Sequence, residues 1–187
     1  MAEQDTLALD TDRLAAFLEA GAHPIRGPLA ATRIAGGQSN PTYLIESPSG
    51  RFVVRRKPPG PLLPKAHMIE REYRAMAALH ARGFPVPRTL LLCDDESVIG
   101  SVFYLMEHVE GRVLHDSRLP GLAPEERRAT WEAVTDTLAA LHRIDPADAG
   151  LADFGRQGGY LQRQTATWAR QYAASATDEI PEMDRLA

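Results

Sequence analysis

The chain has 187 residues, 44% of them hydrophobic and 25% charged, enough to bury one domain or a domain and part of a second. A formal net charge of −4 leaves no broad basic field for nucleic acid or anionic lipid. Cys93 is the only cysteine, so no internal disulfide can form and a reducing compartment is expected. Met1 to Asp10 lacks the basic-then-apolar order of a signal peptide, and no apolar run approaches the roughly 20 residues of a membrane span, so a cytoplasmic protein is expected.

Asp10 or Thr11 can cap a short helix in which Leu14, Phe17 and Leu18 share one face and Gly21 is the stop. This piece is set apart as a helical N-terminal extension, residues 1–27. A strand near Ala31–Ile34, the punctuation Gly36-Gly37-Gln38-Ser39-Asn40-Pro41, a strand from Thr42 to Glu46, the turn Pro48-Ser49-Gly50 and a strand from Arg51 to Lys57 read as an antiparallel meander. Prolines at 58, 59, 61 and 64 exclude regular structure after it. Helical periodicity spans Lys65 to Arg82 and stops at Gly83. Leu90–Leu92 and Val102–Met106 then read as two more strands flanking a turn at Cys93–Ser97. Residues 28–109 thus form a lobe of five strands with one helix inserted after the third.

From Glu110-Gly111 the pattern becomes helical. Pro124 suits a first helical position, and Trp131, Val134, Leu138 and Leu141 form a stripe that ends before Asp145-Pro146. A later helix has Leu161, Thr165, Trp168 and Tyr172 on one face, and Ile180–Ala187 starts another amphipathic piece. Trp131, Trp168 and Tyr172 read as core residues. Residues 110–187 are expected to be the start of a helical lobe, and the chain a fragment of something longer.

Four features carry chemistry. The turn Gly36, Gly37, Gln38, Ser39, Asn40 lets backbone N–H groups approach a phosphate, although most such turns are only turns. Alternation along the third strand puts Val53, Arg55 and Lys57 on one face, suiting a nucleotide with its base near the valine and its phosphates near the guanidinium, which can bind them with two parallel hydrogen bonds. The plain alternative is a solvated cluster at a strand end. In the inserted helix Ile69, Tyr73, Met76 and Leu79 define the buried stripe, with Glu72 at its edge. A carboxylate there needs a partner, Arg55 being the obvious one, unless it reaches solvent beside Arg71; Glu70 lies off the stripe and can pair with Arg74. Finally, Tyr104-Leu105-Met106-Glu107-His108-Val109-Glu110-Gly111 runs as extended chain into the lobe boundary, where free backbone groups can read an adenine edge.

In this order the features resemble the aminoglycoside and choline kinase-like phosphotransferases. The resemblance is closest to the phosphotransferase domains associated with acyl-CoA dehydrogenases. The resembling stretches are Gly36–Asn40, Phe52-Val53-Val54-Arg55-Arg56-Lys57-Pro58-Pro59-Gly60, Ile69-Glu70-Arg71-Glu72-Tyr73, Val86-Pro87, Tyr104–Glu107 and Ala140-Leu141-His142. The resemblance implies an α+β, protein-kinase-like fold and ATP-dependent, Mg²⁺-assisted transfer of phosphate to a small-molecule hydroxyl. It implies that Arg55 is the phosphate-binding cation, Glu72 its partner, Met106 the back of the adenine pocket, and the Glu107 and Val109 backbones the adenine readers. Lys57 leaves open which cation reaches the phosphates. The association with acyl-CoA dehydrogenases suggests a hydroxyacyl-type acceptor and a functional link to such an enzyme.

The family's catalytic His-Gly-Asp does not occur in the chain. Asp145, after His142-Arg143-Ile144, reads as a helix-end residue before Pro146. The chain by itself is therefore expected to lack turnover, with the metal ligands elsewhere; the alternative is a nucleotide-binding or scaffolding module without catalysis. The six histidines show no metal-ligand spacing.

Overall fold

A computed structural model of the chain describes residues 8–21, 23, 25–34, 39–60, 67–155, 158–175, 177–178 and 180–185. The first element, α1 (Thr11–Ala20), starts where the Asp10 carboxylate accepts the Arg13 N–H at 3.0 Å. The strands follow as β1 (Ala30–Arg33), β2 (Thr42–Ser47), β3 (Gly50–Arg56), β4 (Thr89–Cys93) and β5 (Phe103–Glu107), with helix α2 (Ile69–His80) between β3 and β4. They form one five-stranded sheet in the order β1-β2-β3-β5-β4, every neighbouring pair antiparallel. The β2–β3 turn closes on Gly50, whose φ of +126° an L side chain rarely adopts.

The period-2 alternation sorts side chains onto two faces, and each face has its own helix. Ile45, Val54, Phe103 and Leu105 pack in one core with Leu14 and Leu18 of α1. On the opposite face Val102 and Tyr104 pack with Ile69, Tyr73 and Met76 of α2. The helix set apart in sequence as an extension is therefore a layer of the sheet's own core. Cys93 lies buried in that core, and burial pushes its thiol pKa up.

Helix α2 begins at Ile69, later than its periodicity suggests. His67 has a left-handed φ of 56°, which breaks the helix on its N-terminal side; residues 65 and 66 lie outside the described ones.

Beyond the sheet come α3 (Pro124–His142), α4 (Tyr160–Ser175) and the short α5 (Pro181–Asp184). Pro124 opens α3 as expected, with Glu126 accepting the Ala123 N–H at 3.1 Å. The apolar stripe does not become a core. Trp131 is 49% exposed and Trp168 65%, so the core assignment of both tryptophans is corrected; only Tyr172 is half-buried. Periodicity identifies the apolar face of a helix, but not what covers it. Asp145 accepts the N–H groups of Ala147 at 2.7 Å and Asp148 at 3.2 Å, capping the turn after α3. Among the described residues no helix is long and apolar enough to cross a membrane.

The outer face of α2 grips the segment that follows this turn. Arg71 donates to the Phe154 carbonyl at 2.6 Å and stacks over its ring at 4.2 Å, and Arg74 binds the Asp153 carboxylate with two hydrogen bonds.

If α1 is a core layer, Leu14→Ala should lower unfolding stability by about 3 kcal/mol in urea titrations, as for other buried leucines, whereas exposed Glu19→Ala should change it by less than ~0.5 kcal/mol. Equal effects would mean that α1 is not part of the cooperative unit.

Candidate functional site

The register of the sheet builds the site. Arg55 on β3 lies opposite Thr42 on β2 and Tyr104 on β5, so these three side chains share the face covered by α2. The first turn of α2 then aims Glu72 at them. Arg55 Nε donates to Glu72 Oε2 at 2.6 Å and Nη2 to Oε1 at 3.3 Å. Asn40 Nδ2 donates to Oε1 at 3.0 Å and the Tyr104 hydroxyl to Oε2 at 3.3 Å. Arg55 Nη1 reaches Thr42 Oγ1 at 2.8 Å and the Asn40 carbonyl at 3.3 Å. The alternative in which Glu72 turns to solvent beside Arg71 is not what forms.

The electrostatics follow from this geometry. Burial works to raise the Glu72 pKa, but the hydrogen bonds and charge of Arg55, with Asn40 and Tyr104, hold it below the usual carboxylate value. The Glu72 hydrogen bond raises the Arg55 pKa against the opposing effect of burial. Burial, reinforced by the Glu72 charge, drives the Tyr104 hydroxyl pKa well up, so it stays a donor. Both partners are half-buried, a setting in which a pair is screened less than on the open surface.

Four of the five Arg55 N–H groups already have acceptors within the chain. Among the described residues this leaves Arg55 one N–H without an acceptor. Lys57, on the same strand face, pairs with Glu70. That overturns the Glu70–Arg74 pairing expected from helical spacing, because β3 brings Lys57 against the first turn of α2 while Arg74 turns outward to Asp153.

Of the remaining predicted residues, Val53 is buried and faces Met106 directly across β3–β5. Met106 packs against the α2 cluster. Glu107 is tied to Arg88 twice: its N–H donates to the Arg88 carbonyl at 3.0 Å, and its Oε1 accepts the Arg88 N–H at 2.9 Å. Val109 is exposed. Ser39 and Asn40 are placed at the entry to β2, whereas Gly36, Gly37 and Gln38 lie outside the described residues. Sequence reasoning missed Thr42, Tyr104 and His67. Strand alternation would have found the first two once the register was known; nothing local marks His67.

The sequence profile described as the phosphotransferase enzyme family matches residues 30–187. The chain belongs to this family. It is 48% identical over 162 residues to acyl-CoA dehydrogenase family member 11 of Rattus norvegicus, covering 87% of this chain and 21% of that protein. Family member 10 of Mus musculus is 45% identical over 183 residues, covering 97% of this chain and 17% of that protein. The chain thus spans about a fifth of the length of these curated relatives. A crystal structure from Ralstonia eutropha, of a protein provisionally described as an aminoglycoside phosphotransferase, superposes with a TM-score of 0.77 at 43% identity, covering 96% of this chain and 52% of that one. The five-stranded sheet with its helices is the kinase-like α+β fold of that family.

The lowered pKa of Glu72 gives the pair a signature in pH. A depressed carboxylate contributes stability that is present above its unfolded pKa of about 4.3 and is lost as pH falls through the folded value. Urea midpoints taken from pH 6 to pH 3 should therefore fall more steeply for the parent chain than for Glu72→Gln, the parent's advantage at pH 6 narrowing as pH drops below about 4.3. Parallel curves would show that the ion pair is absent in solution.

Proposed function

We propose that the chain is the nucleotide-binding portion of an ATP-dependent kinase for a small-molecule hydroxyl group. The observation that carries this reading is the half-buried Arg55–Glu72 pair, bonded to Asn40 at the end of the glycine turn. Phosphoryl transfer asks a protein mainly for positioning and for positive charge beside the phosphates. A guanidinium with four of its N–H groups engaged is such a fixed charge, and it keeps one donor for a phosphate oxygen.

In this reading the adenine lies along the β5 exit. Val53 and Met106 supply an apolar wall there, and the backbones of Glu107 and Val109 the polar edge. The glycine-containing stretch that ends at Ser39 and Asn40 is assigned to the phosphates, Gly36, Gly37 and Gln38 lying outside the described residues. Arg55, not Lys57, is taken as the principal phosphate contact, because Arg55 is the cation bonded to Asn40 at the entry to β2, whereas Lys57 pairs with Glu70 in the helix's first turn. ATP brings Mg²⁺ with it. Among the described residues no three His, Cys, Asp or Glu side chains gather in a cluster that could hold a metal ion. Its protein ligands, and the group that orients the accepting hydroxyl, then belong to parts of the relatives that this chain does not span. The relatives' names, acyl-CoA dehydrogenase family members 11 and 10, support a functional link to an acyl-CoA dehydrogenase, and with such a link we propose a hydroxyacyl compound as acceptor. A reducing, cytoplasmic setting fits the single buried thiol, Cys93.

Thermal unfolding with Mg-ATP tests the reading. A ligand that binds only the native state should stabilise by about 2.7 kcal/mol at 100 times its dissociation constant. Arg55→Ala should weaken Mg-ATP binding by roughly tenfold or more, the scale of a lost hydrogen bond to a charged group, and Lys57→Ala clearly less. The absence of any shift with millimolar Mg-ATP, or a larger loss at Lys57, would overturn this assignment.

A further inference from the structure

We propose that His67 is a positioning residue for the nucleotide site, acting through Asn40 on the Glu72 carboxylate that holds Arg55. The inference rests on the nucleotide reading above and adds to it a residue that none of the four sequence features contains. Its basis is a chain of hydrogen bonds with only one consistent polarity. Glu72 Oε1 is a carboxylate oxygen and can only accept, so the Asn40 atom 3.0 Å from it is the amide nitrogen. The other Asn40 amide atom, Oδ1, must then be the one facing His67 Nδ1, at 2.9 Å. An amide oxygen accepts only, so His67 Nδ1 carries a proton. The direction of donation runs from His67 to Asn40 to Glu72, with the Ser39 hydroxyl 3.5 Å from the same ring nitrogen.

Burial makes this chain consequential. Asn40 is 3% exposed, so its amide oxygen has little access to water as a substitute partner. Without the imidazole, either that oxygen stays without a donor in the interior or the amide rotates and withdraws its nitrogen from Glu72. Either outcome loosens the carboxylate, and with it Arg55. The Asn40 backbone carbonyl is itself an acceptor for Arg55 Nη1, so a shift at this residue reaches the guanidinium by two routes. His67 holds a left-handed backbone two residues before α2, with its carbonyl accepting the Ile69 N–H at 2.9 Å. The residue that is joined through Asn40 to the ion pair thus also sets where the helix carrying Glu72 begins. Histidine and asparagine tolerate this backbone better than most residues, and glycine adopts it freely.

Three variants separate the side-chain bond from the backbone. His67→Gly keeps the backbone and removes the donor. His67→Asn keeps the backbone and can place an amide N–H near the position of Nδ1. Asn40→Ala removes the intermediary. In the parent chain, long-range ¹H–¹⁵N spectra of the ring should show His67 protonated at Nδ1, and Asn40→Ala should release it toward the usual Nε2–H tautomer. The dissociation constant for Mg-ATP should rise roughly fivefold in His67→Gly, the scale of one lost hydrogen bond, and return to within about twofold in His67→Asn. In an Asn40→Ala background, His67→Gly should have no further effect. An Nε2–H tautomer in the parent chain, no rescue by asparagine, or additive losses in the double variant would each overturn the proposal. A parent chain that binds no Mg-ATP would overturn the nucleotide reading instead, and the tautomer measurement would still decide whether His67 holds Asn40.

Discussion

A carboxylate has two oxygens and room for about four hydrogen bonds, and Glu72 receives four from Arg55, Asn40 and Tyr104. The donors come from β3, from the entry to β2 and from β5, while the acceptor sits on α2. One ionised group therefore sets the distance between the helix and three parts of the sheet. Its charge is tolerable at this depth only because the guanidinium compensates it and every acceptor position is filled. The same saturation operates on the other partner, leaving Arg55 little freedom to rotate. In the proposed reading this is a fixed charge that need not reorganise when a triphosphate arrives, as electrostatic stabilisation of phosphoryl transfer requires.

The layers around the pair serve this arrangement. On the far side of the sheet α1 closes the core with Leu14 and Leu18, behind the β3–β5 pairing that places Arg55 opposite Tyr104. On the near side α2 is held from within by Ile69 and Glu72, and from without by Arg71 and Arg74 on the segment around Phe154 and Asp153. The outer arginine–aspartate pair is exposed and is worth little by itself. Lys57 and Glu70 form a second rung beside the Arg55–Glu72 pair, while Arg55 is bonded to the Asn40 carbonyl.

Much of this is legible in the amino-acid sequence. Alternation along Arg51–Lys57 placed Arg55 and Val53 on one face, and the spacing of Ile69, Tyr73 and Met76 put Glu72 at the edge of a buried stripe. Those are local periodicities, and local periodicities survive in a bare sequence. The five strands with a helix after the third were read the same way. Where the reading failed, the missing information was non-local. Glu70 has Arg74 one turn away, yet a strand lysine 13 residues earlier takes it. Trp131 and Trp168 sit on apolar faces, yet the described residues leave both exposed.

The chain's own order of residues thus determined which groups could take part: a strand-end cation, a stripe-edge carboxylate, a glycine turn and an extended exit strand, each defined by neighbours within a few positions. Only the tertiary structure decided how they are joined. Sheet register chose Thr42 and Tyr104 as the flanks of Arg55, and the packing of α2 chose Glu72 for it and Glu70 for Lys57. The backbone turn at His67 brought an imidazole to an asparagine 27 residues away. Hydrogen bonds depend on distances of a few tenths of an ångström between atoms far apart along the chain, and no periodicity in a sequence encodes those distances.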